Sequence, residues 1–138
     1  MKQTIKYMFL LLVGGSIYFF IEQIFRGYSH WTMFALGGIC FVLIGCLNDF
    51  YTWEMALISQ MLISAIIITV LEFLTGLVVN IWLGWGVWDY SRMPYNILGQ
   101  ICLLYTNTWF LLSLAGILLD DWLRHWIFKE EKPRYKLF

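Results

Sequence analysis

Four apolar runs occupy most of this 138-residue chain, and each is long enough to cross a lipid bilayer. They extend over residues 7–25, 31–47, 55–83 and 97–119. Apolar runs of this length form helices in a bilayer, because every backbone polar group there must be hydrogen-bonded within the protein. The sequence therefore predicts an all-α polytopic bundle of four transmembrane helices. It forms one domain over residues 1–128, followed by a basic cytoplasmic tail over 129–138.

Charged residues make up 13% of the chain and hydrophobic residues 61%, whereas a soluble domain carries about 25% charged residues. The nine basic and nine acidic residues cancel. The chain therefore lacks the net positive field that attracts nucleic acid. Composition predicts the lipid bilayer as the chain's surroundings and excludes a nucleic-acid partner.

Basic residues fall mostly near the two ends of the chain, and this bias predicts its orientation. Those outside the first and fourth spans are Lys2, Lys6, Arg124, Lys129, Lys132, Arg134 and Lys136. Only Arg26 and Arg92 lie in the loops on the other side. Because lysine and arginine favour cytoplasmic ends, we expect a multi-pass plasma-membrane protein with both termini in the cytoplasm and Trp88–Pro94 outside.

The third run is the longest, and it contains a carboxylate, Glu72, deep inside it. No turn residues surround Glu72, so one long helix that breaks at Gly84 and Gly86 is preferred over two short spans. If Trp82 marks the outer interface, Glu72 lies about 15 Å inside it. Ionisable side chains near the midplane cost about 2.5–3.5 kcal/mol to insert, and they usually face the bundle interior with a partner.

Further polar residues continue outwards from Glu72. Glu72, Gly76 and Asn80 recur every four residues, so they share one face of the third span. Three amide side chains are predicted on one face of the fourth span: Asn96, Gln100 and Asn107. We expect a contact between Glu72 and Asn107. Two interpretations stay open, since the amides either only satisfy Glu72 and hold two helices together, or help to form a pocket that opens outwards.

The turn between the third and fourth spans carries an acidic side chain, Asp89, between Trp88 and Tyr90. The two rings could shield Asp89 from water, and an aromatic-framed carboxylate suits a cation or a polyol head group. An ion pair between Asp89 and Arg92 across the turn is the alternative. The predicted ligand-binding residues are Glu72, Asn80, Trp88, Asp89, Tyr90, Asn96, Gln100 and Asn107.

The first span carries an acidic and a basic side chain four residues apart, Glu22 and Arg26, which places both on one helix face. A local ion pair is the simpler interpretation. The alternative is that Glu22 points into the bundle and lines a pocket.

Tryptophans are expected mainly at the two membrane interfaces. An inner belt is predicted from Trp53, Trp122 and Trp126, and an outer belt from Trp31, Trp82, Trp85 and Trp88. The three cysteines lie inside predicted spans without paired spacing, which favours packing over metal or redox chemistry. No cofactor and no metal ion are predicted.

A family resemblance rests on two segments of the chain. They read Glu72-x3-Gly76-x3-Asn80 and Val87-Trp88-Asp89-Tyr90-Ser91-x2-Pro94-x-Asn96-x2-Gly99-Gln100-Ile101-Cys102. Together, these two segments resemble the putative ABC-transporter type IV membrane-protein family. The likeness covers roughly residues 14–124. The resemblance implies a permease role. The chain has no Gly-rich phosphate loop, so a separate ATPase or another membrane subunit is the implied partner.

A short pattern, Gly-x-Ile-Cys, occurs at residues 37–40 and again at 99–102. Each copy lies near the outer part of an even-numbered span and follows an odd-numbered span with a carboxylate. Two parallel helical hairpins would produce this arrangement, as parallel repeats do in some transporters. Chance similarity is the alternative for so short a match.

Three functions follow from these observations. The first is a transport or substrate-binding subunit with an outward-facing polar pocket. The second is a membrane enzyme of lipid or envelope metabolism, which is disfavoured because His30 and His125 fall on opposite sides of the membrane. The third is a non-catalytic assembly subunit, for which close helix packing would suffice. A homo-oligomer is compatible with each of them.

Overall fold

The computed structural model describes residues 2–27, 30–50, 56–130, 132, 133 and 135, without the side chains of residues 48–50. Its helices are α1 (Lys2–Arg26), α2 (Trp31–Phe50), α3 (Leu57–Gly76) and α4 (Leu103–Phe128). A π-helical segment, Leu77–Trp82, continues α3. A short antiparallel hairpin of β1 (Asn96–Ile97) and β2 (Ile101–Cys102) precedes α4. The predicted four helices are confirmed, and the hairpin is an addition to the all-α expectation.

Within the described residues, three helical stretches are long and apolar enough to cross a membrane, namely Lys2–Arg26, Leu57–Trp82 and Leu103–Phe128. Trp31–Gly45, in α2, is a shorter apolar helix. These helices have the length and composition of a membrane protein.

The third helix runs unbroken past Glu72, as predicted, and ends where the sequence places two glycines. The amide of Leu83 donates to the carbonyl of Val78 over 2.8 Å, which is the wider turn of a π-helix. Gly84 and Gly86 then adopt φ angles of +69° and +60°, a left-handed conformation that glycine takes without steric cost. This break turns the chain back over the end of the bundle.

The fourth predicted span, 97–119, is wrong at its start, because α4 begins at Leu103. Asn96 pairs with Cys102 and Ile97 with Ile101 in the β-hairpin. Tyr95 and Leu98 have φ angles of 56° and 54°, which a helix cannot include. Asn96 and Gln100 therefore do not share a helix face with Asn107, contrary to the sequence prediction.

The helices pack as two consecutive hairpins, α1 with α2 and α3 with α4, and α2 also contacts both α3 and α4. Glycines allow the first pair to approach closely, since Gly15 faces the carbonyl of Phe34 and Gly37 faces the ring of Tyr18. The Gly-x-Ile-Cys pattern does not mark a repeated structure. Residues 37–40 are helical, whereas 99–102 lie in the turn and in strand β2.

The start of α1 and the segment that follows α4 meet at one end of the bundle, which we call the terminal end. The ammonium of Lys6, near the start of α1, lies 2.8 Å from the carboxylate of Glu130, just after α4. The Tyr135 hydroxyl donates to Asp121 over 3.0 Å. The opposite end carries residues 83–102 and is called the hairpin end. Of the predicted basic tail, Arg134 and Lys136 lie outside the described residues.

The predicted tryptophan belts are correct only in part. Trp31, Trp82 and Trp85 are largely exposed at the hairpin end, as an interfacial belt requires. Trp88 is 3% exposed and lies in the hydrophobic core, so its place in the outer belt is wrong. Trp53 lies outside the described residues.

Candidate functional site

Asn80 and Gln100 join the end of the third helix to the loop that follows it. The Asn80 amide nitrogen donates to the Gln100 side-chain oxygen over 2.8 Å. The Asn80 side-chain oxygen accepts from the Val87 amide over 2.6 Å. Each of these side chains is therefore engaged in fixing the fold of the loop.

Trp88 and Asp89 point in opposite directions. The indole nitrogen of Trp88 donates to the Gln100 carbonyl over 3.0 Å inside the protein. Asp89 is exposed, and its carboxylate accepts from the Ser91 amide over 2.8 Å. Hydrogen bonds from Ser91 hold the pKa of Asp89 below its usual value. The expected shielding of Asp89 by Trp88 and Tyr90 is wrong, since Asp89 is exposed whereas Trp88 lies in the hydrophobic core.

The two remaining amides of the predicted set lie apart from Glu72. The Asn96 amide group donates to the Met93 carbonyl over 2.8 Å, and its oxygen accepts from the Gly99 amide over 3.0 Å. It stabilises the turn within the β-hairpin. Asn107 lies on the exposed face of α4, so the expected contact between Glu72 and Asn107 is wrong.

Glu72 lies inside the bundle with 1% of its surface exposed. The Tyr90 hydroxyl donates to one carboxylate oxygen over 3.0 Å, and the Trp109 indole nitrogen donates to the other over 3.2 Å. The structure thus brings together Glu72 and Tyr90 of the predicted set. Each carboxylate oxygen has two lone pairs, so acceptor capacity remains for a third donor.

Trp109 is the site residue that sequence reasoning missed. The chain has eight tryptophans, and Trp109 is the one that fits neither predicted interfacial belt. A tryptophan away from both interfaces needs a partner for its N–H group inside the protein. That signal in the sequence points to a buried acceptor, which the structure identifies as Glu72.

Aromatic rings surround the Glu72 carboxylate. Tyr18 of α1 meets Trp109 edge to face, with ring centroids 5.8 Å apart. Tyr105 stacks on Tyr90 with centroids 4.8 Å apart. These contacts orient both hydrogen-bond donors, because a packed ring cannot rotate away from its acceptor.

A cavity of about 180 Å³ lies beside Glu72, flanked by α1 and α4 and backed by α2 and α3. Helices α1 and α4 are joined towards the hairpin end by Tyr18 and Trp109. Towards the terminal end, Phe9 and Phe128 meet with centroids 5.7 Å apart. The cavity between these contacts is mostly apolar, and its lining includes Gly14, Ile17, Tyr18, Leu112, Ser113 and Gly116.

The cavity opens sideways, between the two helices. Ile17 and Leu112 line it and are 41% and 40% exposed. A Cβ atom added at Gly116 would meet nothing within 4 Å. The arrangement can therefore accept an apolar group from the flank of the bundle and present a carboxylate to it.

The predicted ion pair on α1 is confirmed. Arg26 lies 2.8 Å from the Glu22 carboxylate, and its guanidinium also donates to the Val87 carbonyl over 2.9 Å. Arg26 therefore fastens the loop after α3 to the end of α1.

A family comparison covers nearly the whole chain. The family described as Putative ABC-transporter type IV matches residues 6–135. No curated protein and no solved structure matches the chain. The match includes every helix that forms the Glu72 cavity and confirms the resemblance seen in the sequence. The chain therefore belongs to the putative ABC-transporter type IV family, a membrane-protein family whose description gives it a role related to membrane transport.

Proposed function

We propose that the protein is the substrate-binding membrane subunit of a transport system, and that its substrate binds in the cavity beside Glu72. The observation that carries this proposal is a fully buried carboxylate at the wall of an otherwise apolar cavity. Such a group is costly to keep in a membrane, and a carboxylate used only for packing would not need a cavity beside it.

The substrate has an apolar body and a head group that donates hydrogen bonds, of which a primary amine is the best match. The cavity walls suit a hydrocarbon chain, and Glu72 supplies the acceptor. Tyr18 and Trp109 add ring faces and edges near the carboxylate, a setting that favours cations. Entry takes place from the lipid side, between α1 and α4.

Of the eight predicted ligand residues, Glu72 keeps a direct role in this proposal. Tyr90 positions the carboxylate, while Asn80, Trp88 and Gln100 hold the loop that carries Tyr90. The outward polar pocket is thus replaced by a site within the bundle. A separate ATPase subunit supplies the energy for transport, as the family description suggests.

The test uses para-bromophenethylamine, a compact amine whose bromine stays close to the head group, with the protein in nanodiscs of neutral lipid. Bromine quenches tryptophan fluorescence at short range, so an amine bound at Glu72 should quench Trp109. We expect saturable quenching by the amine and weaker quenching by the matching alcohol. Glu72→Gln should weaken binding of the amine about tenfold, since a hydrogen bond to a charged group contributes about 1.5–3 kcal/mol. It should weaken binding of the alcohol less, because the neutral hydroxyl forms no ion pair with Glu72 and can still donate to the glutamine oxygen.

A cavity-filling variant separates this site from non-specific partition into lipid. Gly116→Leu places a side chain in open space within the cavity, so it should fold and lose the saturable quenching. Leu111→Phe is the matched control, because Leu111 lies on the same helix and is 68% exposed. If the parent and Gly116→Leu are quenched equally, with no difference between amine and alcohol, the proposal is wrong.

A further inference from the structure

A second cleft lies at the terminal end of the bundle, between the start of α1 and the end of α4. Its volume is about 590 Å³, and Phe9 and Phe128 separate it from the Glu72 cavity. Lys2, Gln3, Ile5 and Lys6 line one side, and Ile127, Phe128, Lys129 and Glu130 line the other. No step of the proposed transport function uses it.

Among the described residues that line this cleft, three are lysines and one is a carboxylate, so their charge is predominantly positive. The Lys6 side chain is 8% exposed and lies 2.8 Å from Glu130, so these two groups largely neutralise each other. Lys2 and Lys129 are exposed and form no ion pair with any residue in the described part of the chain. Two cationic groups therefore face the same space without a neutralising partner among the described residues.

Apolar surface adjoins these charges. Ile5 and Ile127 line the cleft and are 60% and 50% exposed. On α1, Met8 and Leu12 follow Ile5 at spacings of three and four residues, and both are more than half exposed. This spacing gives one apolar stripe along the helix, running from the lysines towards the middle of the bundle.

We propose that this cleft binds an anionic phospholipid, with the phosphate of its head group between Lys2 and Lys129. The lysines match a phosphate in charge, and the stripe from Ile5 to Leu12 matches an acyl chain in polarity and direction. Basic pockets between helices at the membrane surface are suited to such head groups. A free phosphate would use the lysines and leave the stripe without a ligand.

Native mass spectrometry of the full chain, titrated with dioleoyl phosphatidylglycerol, tests the proposal. We expect tight binding of one lipid, and weak binding of dioleoyl phosphatidylcholine. The double variant Lys2→Gln with Lys129→Gln should bind phosphatidylglycerol about 30-fold more weakly, equal to about 2 kcal/mol for two surface lysines. Lys132→Gln, which removes an exposed lysine outside the cleft, should bind like the parent.

Two further measurements keep the test decisive. The variant Lys2→Arg with Lys129→Arg keeps both charges and should retain binding. With the parent protein, raising the salt concentration should weaken binding of phosphatidylglycerol, because salt screens exposed charges. Binding that is insensitive both to salt and to the glutamine substitutions would overturn the proposal. So would equally strong competition by inorganic phosphate, since this would assign the cleft to a free anion.

Discussion

A carboxylate within a bilayer needs hydrogen-bond donors, and Glu72 obtains them from two aromatic residues distant in the sequence. Insertion of the charged group costs about 2.5–3.5 kcal/mol, and a hydrogen bond to a charged group contributes about 1.5–3 kcal/mol. The donors Tyr90 and Trp109 are therefore sufficient to offset the cost. The stability of the buried carboxylate therefore requires no further donor from the adjoining cavity.

Asn80 supports the site through the loop that carries Tyr90. Asn80→Ala would leave the Val87 amide and the Gln100 side-chain oxygen without their hydrogen-bond partner. We expect a loss of about 1–3 kcal/mol in the free energy of unfolding, measured by thermal denaturation in mild detergent. Asn107→Ala is the control, since Asn107 is exposed on α4, and it should denature like the parent. Equal stability of the two variants would contradict the structural role of Asn80.

At the scale of the helices, close packing of α2 and α4 depends on one glycine. A Cβ atom added at Gly45 would overlap the carboxylate of Asp120, which is buried and lies 2.9 Å from the guanidinium of Arg124. A buried ion pair cannot easily move, because both charges lose their compensation when they separate. Gly45 therefore allows the two helices to meet around a charged pair.

Gly45→Ala should lower the free energy of unfolding by about 1–3 kcal/mol, as overpacking of a core does. Gly116→Ala should leave it unchanged or raise it by up to about 1 kcal/mol. The new methyl group meets open space there, and alanine favours helix more than glycine. Thermal denaturation of both variants measures the difference. A Gly45→Ala protein as stable as Gly116→Ala would show that α2 and α4 do not pack as described.

Helices were predictable where a long apolar run decides them, and α3 is the best example. The glycines at 84 and 86 also predicted correctly where the π-helical continuation of α3 ends. The start of α4 was not predictable from hydropathy, because residues 97–102 are apolar enough to belong to a membrane-spanning helix. The turn in this segment is fixed instead by hydrogen bonds of the Asn96 side chain. Tyr95 and Leu98 adopt positive φ angles in it.

The site was predictable at Glu72, because an acidic residue in a long apolar run is rare. Its partners were not, since they depend on which face of each element turns inwards. Because α4 begins at Leu103, Asn96 and Gln100 do not indicate its inward face, and Asn107 lies outside while Trp109 lies inside. The loop after Gly86 likewise directs Trp88 into the core and leaves Asp89 exposed.

In the molecule as a whole, contacts at both ends join α1 to the second helical hairpin. Arg26 binds the loop at Val87, and Lys6 pairs with Glu130 at the terminal end. Between these positions, α1 and α4 leave the cavity that contains Glu72. Helix α1 is therefore held to the second hairpin at both ends and separated from α4 between them, which suits lateral entry of a ligand.

The same arrangement makes a prediction about topology. Lys6 and Glu130 place the chain ends together, so Ser91 and Lys132 should lie on opposite sides of the membrane. The excess of basic residues near the termini predicts that Lys132 is cytoplasmic and Ser91 external. In a background without Cys40, Cys46 and Cys102, an impermeant thiol reagent should label Ser91→Cys in intact cells.

Lys132→Cys should react only after permeabilisation, and both positions are exposed, so neither result depends on burial. The reverse pattern would invert the orientation while keeping the bundle. Labelling of both positions from the same side would contradict a crossing of the membrane by α4.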